Sequence, residues 1–447
     1  MASTYLTRTP TINGNQKTWT WSSWIKLSKV NTSDYQMLFQ CYYGNQTRYS
    51  YISYTNSKIE TYGGFYTTGA SSTESFDVTT TRLLRDTSAW YHLVVVHDST
   101  ESTDTDRLKI YINGERETSF TSYDNLSPTF PSLNSDTFMN VTTTENKIGR
   151  GNPGQEFNGL MSHIHFIDGT AYDATAFGEY DANGVWKINT SPSVTYGTNG
   201  FFILKNGNSV TDQSGNGNNF TASGTLTNTE DNPSNVFATF NALYNSNQNL
   251  SNGNLSATNT TSTWNSRATT LAGSSGKYYA EYKVASPGTS YHMLGVGTVE
   301  DIDPSDHAGT GTGTVAVYSQ NGYKYVEGTD SAYANTYGDG DIIGIALDLD
   351  NNYVYFSKNG TWQNSGDPTS GATGTGGISL PTTGTYAFTE SVRSTSSSNS
   401  KVDANFGNGY FGSTPVASAG TNASGIGIFE YDVPTGYTAL STKGLNL

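Results

Sequence analysis

The chain has 447 residues, which is enough for two to four domains that each bury a core. Lys and Arg number 23 against 38 Asp and Glu, a net charge of −15, and charged residues make up only 14% of the chain. Binding to nucleic acid or to an anionic membrane surface needs a basic surface. The balance therefore argues against both partners, and no apolar run is long enough for a membrane span.

The composition favours β structure. Gly, Ser, Thr and Asn form roughly 45% of the chain, and these residues prefer turns and strands to helix interiors. Hydrophobic residues make up only 34%, but the chain has 31 Tyr, 19 Phe and 7 Trp. Each such side chain offers about 150 to 250 Å² for burial. We therefore expect an all-β protein with aromatic cores.

Features of the whole chain also predict its location. Cys41 is the single cysteine, so no intrachain disulfide can form. The first residues contain no apolar stretch of the kind that forms the core of a signal peptide. Low Lys and high Tyr, Thr and Asn contents are otherwise typical of extracellular proteins. We expect a protein made in a host cytoplasm without a signal peptide and located in a virion that lysis releases.

Residues 19–178 consist of short β-branched and aromatic runs separated by clusters of Gly, Asn, Asp and Ser. This pattern predicts strands joined by turns. Residues 90–98 and 107–115 predict two strands joined by an acidic loop. The second ends at Asn113-Gly114, a strong hairpin signal because both residues tolerate positive φ.

Four motifs occur in order along this region: Trp90-Tyr-His-Leu-Val-Val-Val, Leu108-Lys-Ile-Tyr-Ile-Asn-Gly-Glu, Lys147-Ile-Gly-Arg and Phe157-Asn-Gly-Leu-Met-Ser-His-Ile. Together they resemble the pattern of concanavalin A-like or laminin-G-like jelly rolls, over about residues 15–178. The resemblance implies a β-sandwich. It does not imply one ligand, because lectins, glycosidases, adhesion modules and viral coat modules share this scaffold.

Residues 179–241 are richer in Asn and Gly, and strand propensity remains near residues 201–204. We therefore expect an ordered connector that packs on the first sandwich. Its succession of motifs resembles a segment that follows laminin-G-like domains in phage and marine viral structural proteins: Gly184-Val-Trp, Tyr196-Gly-Thr-Asn-Gly-Phe, Asp212-Gln-Ser-Gly-Asn-Gly-Asn and Asp231-Asn-Pro-Ser-Asn.

The last 200 residues or so contain a second set of strand motifs: Lys277-Tyr-Tyr-Ala-Glu-Tyr-Lys-Val, Leu294-Gly-Val-Gly, Gly340-Asp-Ile-Ile-Gly-Ile-Ala-Leu-Asp-Leu-Asp, Tyr353-Val-Tyr-Phe-Ser-Lys-Asn-Gly and Asn405-Phe-Gly. Their order resembles a SPRY domain, and residues 431–446 resemble the tail of viral SPRY modules. The expected fold is thus all-β, with two β-sandwich (jelly-roll) domains, laminin-G-like then SPRY-like. Residues 1–18 are expected to be a docking arm, 19–178 the first sandwich, 179–241 the connector and 242–447 the second sandwich.

Catalytic signatures are not recognisable. Retaining glycosidases on jelly rolls place two carboxylates on one strand face, and the usual Glu-x-Asp-x-x-Glu spelling is not found. The acidic run at residues 300–306 contains a proline and is typical of a solvated loop. A Gly-x-Ser-x-Gly elbow is also missing. We therefore predict a protein that is not an enzyme and requires no cofactor.

Calcium is the stronger of two candidate metal cofactors. The loop with Asp98, Asp104 and Asp106, and the loop that begins at Asp212, offer the oxygen ligands that Ca²⁺ prefers. The alternative, that these side chains only stabilise turns, is favoured. His163 and His165 alternate on one predicted strand and form a weaker candidate for a transition metal.

Aromatic and polar side chains also concentrate in two places. Residues 41–54 carry five tyrosines and one arginine among amides and hydroxyls. In the second half, Tyr318, Tyr323, Tyr325 and Trp362 lie in or near predicted loops. Such residues stack on sugar rings, but they are also ordinary strand and interface residues. The candidate ligand-binding residues are Tyr42, Tyr43, Arg48, Tyr49, Tyr51, Tyr323 and Trp362.

These observations favour a bacteriophage virion protein. We expect a structural component of a tail fibre or a head decoration that displays lectin-like domains and binds a host-surface glycan. Its partners are expected to be other virion proteins and further copies of itself, without nucleic acid or membrane insertion. Two alternatives stay open: a capsid cement protein that binds no sugar, and a polysaccharide hydrolase whose carboxylates are brought together by the fold.

Overall fold

The computed structural model describes residues 4–30, 32–42, 49–64, 75–123, 125–142, 144–205, 207, 209–244, 247–286, 291–395 and 399–447. The chain divides into two compact units, Met1–Asn228 and Thr229–Leu447. Throughout these described ranges the regular structure is β-strand with short 3-10 turns, and α-helix is absent. The predicted all-β class with two sandwiches is confirmed.

The strands of the first unit are β1 (Tyr5–Arg8), β2 (Thr18–Leu27), β3 (Gln36–Tyr42), β4 (Tyr49–Thr55), β5 (Lys58–Gly64), β6 (Ser75–Thr80), β7 (Trp90–Asp98), β8 (Leu108–Ile112), β9 (Glu115–Arg116), β10 (Phe120–Thr121), β11 (Glu145–Ile148), β12 (Gly159–Asp168), β13 (Gly178–Tyr180), β14 (Trp186–Ile188), β15 (Phe201–Ile203) and β16 (Thr221–Ser223). Two 3-10 turns accompany them, at Asp104–Asp106 and Ala174–Ala176.

Two antiparallel sheets form this unit. The eight-stranded sheet has the order β10-β6-β5-β4-β3-β11-β1-β16, and the six-stranded sheet has the order β15-β12-β2-β7-β8-β9. Their inner faces meet in an aromatic core that includes Trp19, Trp21, Phe39 and Phe166. The predicted Asn113-Gly114 turn is present, with φ of 50° and 82°, and it pairs β8 with β9.

The N-terminal segment contributes strand β1 to the eight-stranded sheet. Residues 1–18 were expected to form a docking arm, but β1 hydrogen-bonds to β11 on one side and to β16 on the other. The physical reason is the short alternation around Leu6, which is buried in the core while Tyr5 and Thr7 face outwards. Four residues give too short a pattern to be recognised against a polar background.

A β-bulge interrupts β12. The pairing of β12 with β2 shifts between Ser162 and His165, and His163 has a φ of 48°. The regular strand on which His163 and His165 were predicted to alternate is therefore interrupted at this point. His165 lies on the outer face of the sheet, where it stacks on Phe202 and bonds the Tyr196 hydroxyl at 2.9 Å.

Residues 172–196 cover the outer face of the six-stranded sheet. Phe177, Trp186 and Tyr196 pack there against Val94, Val96 and Ile167. Trp186 also stacks on His92 and donates its indole N–H to Nδ1 of that ring at 3.0 Å. This side of the first unit is therefore a second, smaller core.

The strands of the second unit are β17 (Asn249–Ser251), β18 (Ser256–Asn259), β19 (Asn265–Ala268), β20 (Lys277–Val284), β21 (Tyr291–Thr298), β22 (Thr314–Tyr318), β23 (Tyr323–Val326), β24 (Thr329–Ala332), β25 (Ile342–Asp348), β26 (Tyr353–Lys358), β27 (Thr361–Trp362), β28 (Ile378–Ser379), β29 (Tyr386–Arg393), β30 (Ser400–Asn405), β31 (Tyr410–Phe411), β32 (Thr414–Pro415) and β33 (Thr438–Ala439). Its 3-10 turns are Gln363–Ser365, Gly371–Thr373 and Gly444–Asn446.

The second unit is also a sandwich of two sheets. One has the order β17-β18-β30-β20-β25-β26-β27, with β28 beside β26 and β33 parallel to β20. The other has the order β19-β29-β21-β22-β23-β24. Between them lie Tyr282, Phe356, Phe388 and Phe406, together with many aliphatic side chains.

The C-terminal segment covers the outer face of the larger sheet. Phe429, Val433 and Tyr437 pack there on Tyr279 and other sheet residues. The carboxylate of Glu281, fully buried on β20, accepts the backbone N–H groups of residues 430 and 431 at 2.8 Å each. This carboxylate therefore fixes the end of the chain to the sheet.

No helix in the described part of the chain is long and apolar enough to cross a membrane.

Buried histidines predict acid sensitivity in the first unit. Burial lowers the pKa of His92 to about 3 and those of His97 and His163 to about 4, because imidazolium is poorly solvated there. These folded-state values lie below the unfolded value of about 6.5. The stability they contribute is complete above that pH and is lost as the pH falls towards 4. Each of these three histidines should lower the free energy of unfolding by about 1 kcal/mol as the pH falls from 6.5 to 5.5.

The second unit provides the contrast. Burial raises the pKa of Glu281 to about 7 and that of Glu390 to about 8, so acidification through this window favours the folded state. Burial lowers the pKa of His292 to about 3, and this histidine offsets only part of the stabilisation that the two glutamates give on acidification. Urea unfolding at pH 7.5 and 5.5 can be followed by hydrogen exchange, with deuterium uptake measured on peptides by mass spectrometry at one common labelling pH. On acidification, peptides of the first unit should lose more stability than peptides of the second unit. Equal losses in both units would contradict the assignment.

Candidate functional site

The outer face of the eight-stranded sheet carries a group of tyrosines. Along β4, Ile52 and Tyr54 point into the core, so Tyr49 and Tyr51 point outwards. The two-residue turn at residues 56–57, where both residues have positive φ, fixes the register of β4 against β5. That register places Tyr62 directly opposite Tyr51.

These rings form a stack. The Tyr51 and Tyr62 centroids are 5.3 Å apart with an interplanar angle of 13°, and Tyr49 lies 5.3 Å from Tyr62 and 5.9 Å from Tyr51. Beside them, Tyr35 stacks on Tyr123 at 5.1 Å and meets Tyr51 edge-on at 6.1 Å. Such pairs each stabilise by about 0.5 to 1.5 kcal/mol beyond their burial.

Tyr42 extends the group along β3, where the ammonium of Lys147 lies 5.7 Å from its ring centroid. We call the six residues Tyr35, Tyr42, Tyr49, Tyr51, Tyr62 and Tyr123 the tyrosine face. Tyr42, Tyr49 and Tyr62 are partly exposed, whereas Tyr51 is buried at 7% exposure. The exposed members therefore rest on a rigid aromatic base.

Three tyrosines of the tyrosine face have raised pKa values. Burial raises the pKa of Tyr51, and the Glu60 carboxylate raises it further, since the Tyr51 O–H donates to Glu60 Oε1 at 2.6 Å. Burial likewise raises the pKa of Tyr35 and of Tyr49. Phenol groups both donate and accept hydrogen bonds, so the face offers both functions to a ligand.

Two carboxylates lie on the same side of this sheet. Glu60 is opposite Thr79 and Asp77 is opposite Tyr62, so the two acids are diagonal neighbours on adjacent strands. Diagonal neighbours have Cα atoms about 7 to 8 Å apart. Glu60 is only 1% exposed, and Asp77 accepts the Tyr123 N–H at 3.1 to 3.2 Å. Both carboxylates therefore stabilise neighbouring residues of the face.

The structure brings together some of the residues that the sequence predicted for this face. Tyr42, Tyr49 and Tyr51 are brought together, whereas Tyr43 and Arg48 lie outside the described residues. Tyr35, Tyr62 and Tyr123 were missed. The signal for Tyr62 was present, because a two-residue turn at residues 56–57 sets which residue faces Tyr51.

The candidates in the second unit are separated. Tyr323, 36% exposed, lies on β23, and Tyr325 follows on the same strand rather than in a loop. Trp362 lies on β27 of the other sheet and packs against Tyr279, with ring centroids 6.5 Å apart. Tyr323 and Trp362 therefore belong to different sheets and do not form one site.

Known families match both units. Residues 2–175 match the family model described as the concanavalin A-like lectin/glucanases superfamily, and residues 277–380 match the SPRY domain. The chain carries a concanavalin A-like domain followed by a SPRY domain. These two families confirm what the sequence motifs resemble, and they support a carbohydrate- or protein-binding role.

Three solved structures resemble part of the chain. The SPRY domain of human HERC1 has 16% identity and a TM-score of 0.30, covering 37% of this chain and 96% of that one. A human SPRY domain has 14% identity and a TM-score of 0.27, covering 34% and 90%. The TRIM65 PSpry domain has 13% identity and a TM-score of 0.28, covering 38% and 91%. No curated protein matches the chain.

The acidic loop of the concanavalin A-like domain uses its carboxylates locally. Asp98 accepts from the Thr100 hydroxyl at 2.6 Å, Asp104 accepts the N–H of Thr105 at 2.7 Å, and Asp106 pairs with Arg116 at 2.6 Å. The hydrogen bond from Arg116 lowers the pKa of Asp106. Across the ranges that the structure describes, no group of three or more His, Cys, Asp or Glu is placed to hold a metal ion. Calcium binding here stays a prediction.

Asp212 organises the other predicted loop. Its carboxylate accepts the backbone N–H groups of Phe202, Ser214 and Asn218 at 2.8 to 2.9 Å, and the Ser214 hydroxyl at 2.7 Å. The side chain is 9% exposed. Asp212 therefore ties β15 to the loop that follows it, which is the turn-stabilising alternative that the sequence left open.

Replacing Asp212 should destabilise the concanavalin A-like domain. Asp212→Ala leaves four donors without their acceptor and should lower the free energy of unfolding by about 3 kcal/mol. The matched control is Asp104→Ala, because Asp104 is exposed and accepts one neighbouring N–H; it should change stability by less than about 0.5 kcal/mol. Urea unfolding measures both. Similar losses for the two variants would contradict the role given to Asp212.

Proposed function

We propose that the protein is a non-enzymatic virion component of a bacteriophage, in a tail fibre or a head decoration, that binds host-surface glycans. The observation that carries the glycan proposal is the tyrosine face on the concanavalin A-like domain. Its exposed rings are held in place by stacking, so little side-chain freedom is lost when a ligand binds.

The chemistry of this face suits sugar rings. The C–H groups of a pyranose pack against aromatic faces, and its hydroxyls bond to groups that both donate and accept. Tyr42, Tyr49 and Tyr62 supply both kinds of contact.

Virion display is supported by the whole chain. The net charge of −15 and the single cysteine suit a soluble surface protein assembled in a reducing compartment. Symmetric appendages present many copies, so weak sites act together and raise avidity. Other virion proteins and further copies of this chain are the proposed partners. Nucleic acid and membrane insertion have no place in this proposal, and Ca²⁺ is a candidate but not a required cofactor.

Glycan binding should depend on the exposed tyrosines. On an array of bacterial surface glycans, Tyr49→Ala and Tyr62→Ala should each weaken the best signal by about tenfold, a loss of about 1.4 kcal/mol of stacking. Tyr180→Ala is the matched control, since Tyr180 is 50% exposed on the hairpin β13–β14 of the same unit. Full binding by all three variants would count against the tyrosine face, and no glycan signal from the wild type would count against the function.

The place of the protein on the particle tests the virion proposal. Cryo-electron microscopy of the intact phage should show the chain at a distal, solvent-facing position. Density lying flat across capsid subunits, with the tyrosine face against the shell, would support a cement protein and overturn host recognition. Absence of the chain from purified particles would overturn both.

Polysaccharide hydrolysis is the second candidate function. The observation in its favour is the diagonal placement of Glu60 and Asp77 beside the tyrosine face. The burial of Glu60 opposes it, because a catalytic carboxyl must reach the glycosidic bond. Any release of reducing ends from a bound glycan that Asp77→Asn and Glu60→Gln both abolish would establish the hydrolase and contradict the binding-only function.

A further inference from the structure

A second aromatic cluster lies on the outer face of the β19-β29-β21-β22-β23-β24 sheet in the SPRY unit. We call it the Trp264 cluster, and its members are Trp264, Tyr291, His307, Tyr318 and Tyr325. Trp264 lies 5.3 Å from His307, 6.0 Å from Tyr318 and 6.4 Å from Tyr291, measured between ring centroids. Tyr325 closes the cluster at 5.7 Å from His307 and 6.1 Å from Tyr318.

The strand register assembles this cluster. Inward-facing residues such as Leu294, Val317 and Val392 belong to the core, so their neighbours along each strand face outwards. Tyr318 is opposite Met293, and Tyr325 is opposite Ala316. Small and flexible residues therefore separate the rings and leave every member of the cluster partly exposed.

A loop brings the histidine to the sheet. The backbone N–H of Ser266 donates to the carbonyl of Pro304 at 3.1 Å, and the N–H of Ala308 donates to the Ser391 hydroxyl at 2.7 Å. These bonds hold His307 against Trp264 and Tyr325. The acidic run at residues 300–306, expected to be a solvated loop, thus serves to anchor one edge of the cluster.

Arg393 adds a positive charge at the opposite edge. It is opposite Tyr291 in the sheet, and its guanidinium lies 4.9 Å from the centroid of that ring. Its Nε is buried and has no hydrogen-bond acceptor, and within the described ranges no carboxylate forms an ion pair with this side chain. Among the described residues, the contact recorded for this guanidinium is the Tyr291 ring, in a chain with 38 acidic residues and 23 basic ones.

The positive charge of Arg393 acts on Tyr318 within the cluster. Burial raises the pKa of Tyr318, and Arg393 acts in the opposite direction, as a nearby cation must. A guanidinium held over a ring keeps its fork of N–H donors directed along the plane, where a carboxylate is bound by two parallel hydrogen bonds. The cluster thus joins aromatic surfaces for a sugar ring to a donor group for an anion.

We propose that the Trp264 cluster is a second glycan site, whose ligand is a sugar residue that bears a carboxylate. This rests on the proposed function and specifies it: the rings of Trp264 and Tyr318 contact the C–H surface of the pyranose, and Arg393 pairs with its carboxylate. The acidic class is chosen because no carboxylate of the described residues pairs with this guanidinium, and a carboxylate matches its charge and its fork of donors where a neutral sugar does not.

The test uses the full-length protein and two matched probes. One is an oligosaccharide rich in hexuronic acid, and the other is the same oligosaccharide after reduction of its carboxyl groups. Isothermal titration calorimetry should show binding of the acidic probe and at least about tenfold weaker binding of the reduced one. Binding of the acidic probe should also weaken as salt is added.

Variants assign the site. Arg393→Gln should reduce affinity for the acidic probe by about tenfold, and Arg393→Lys by less, since it keeps the charge but loses the fork. Trp264→Ala removes the ring contact without touching the arginine and should weaken both probes. Lys443→Gln is the charge-matched control, because Lys443 is exposed on the last turn of the unit and should have no effect. Thermal unfolding identifies any variant that fails to fold.

Each result has one meaning. Equal binding of the two probes, an unchanged affinity in Arg393→Gln, or no binding of the acidic probe overturns the second site. Concentration-dependent self-association that Trp264→Ala abolishes, without sugar binding, also overturns it and makes the cluster a subunit interface. If array glycans still bind through Tyr49 and Tyr62 in any of these cases, the proposed function stands while this site fails.

Discussion

Large aromatic side chains fill the space between the paired sheets, and both units depend on this packing. The chain is only 34% hydrophobic, and large rings share the volume between the sheets with the aliphatic side chains. In the first unit Trp19 stacks on His97 at 5.2 Å and on Phe166 at 6.1 Å, and in the second Phe406 contacts Tyr282 and Phe388. Each ring buries several times the area of a small aliphatic group, so few inward positions are needed per strand.

Tyrosine therefore occurs both in the core and on the outer face of the sandwich. Tyr54 points into the core and donates its hydroxyl to the carbonyl of Leu84 at 2.9 Å, while Tyr51, three positions earlier, points to the opposite face. Strand register alone decides between these roles, because successive side chains alternate. The tyrosine face is thus set by the same hairpin geometry that builds the core, and a one-residue slip would exchange the inward and outward residues.

The fold was largely predictable, and the candidate sites only in part. Strand motifs and the Asn113-Gly114 turn carry local information, so the two sandwiches could be recognised from the sequence. The strand at Leu6 and the bulge at His163 could not, since each depends on pairing partners distant in the chain. Tyr42, Tyr49 and Tyr51 were selected by composition. Trp264 and Arg393 escaped notice because only the sheet brings them together.

The position of β1 has a consequence for the order of assembly. Leu6 pairs with Ile148 of β11 and with Ala222 of β16, so the first strand made is among the last to find both neighbours. At about 5 to 20 residues per second, roughly ten to forty seconds of synthesis separate Leu6 from Ala222. Until β16 is made, β1 lacks a partner on one side and presents an open sheet edge. A chaperone that shields this edge would act on the nascent chain before the sandwich closes.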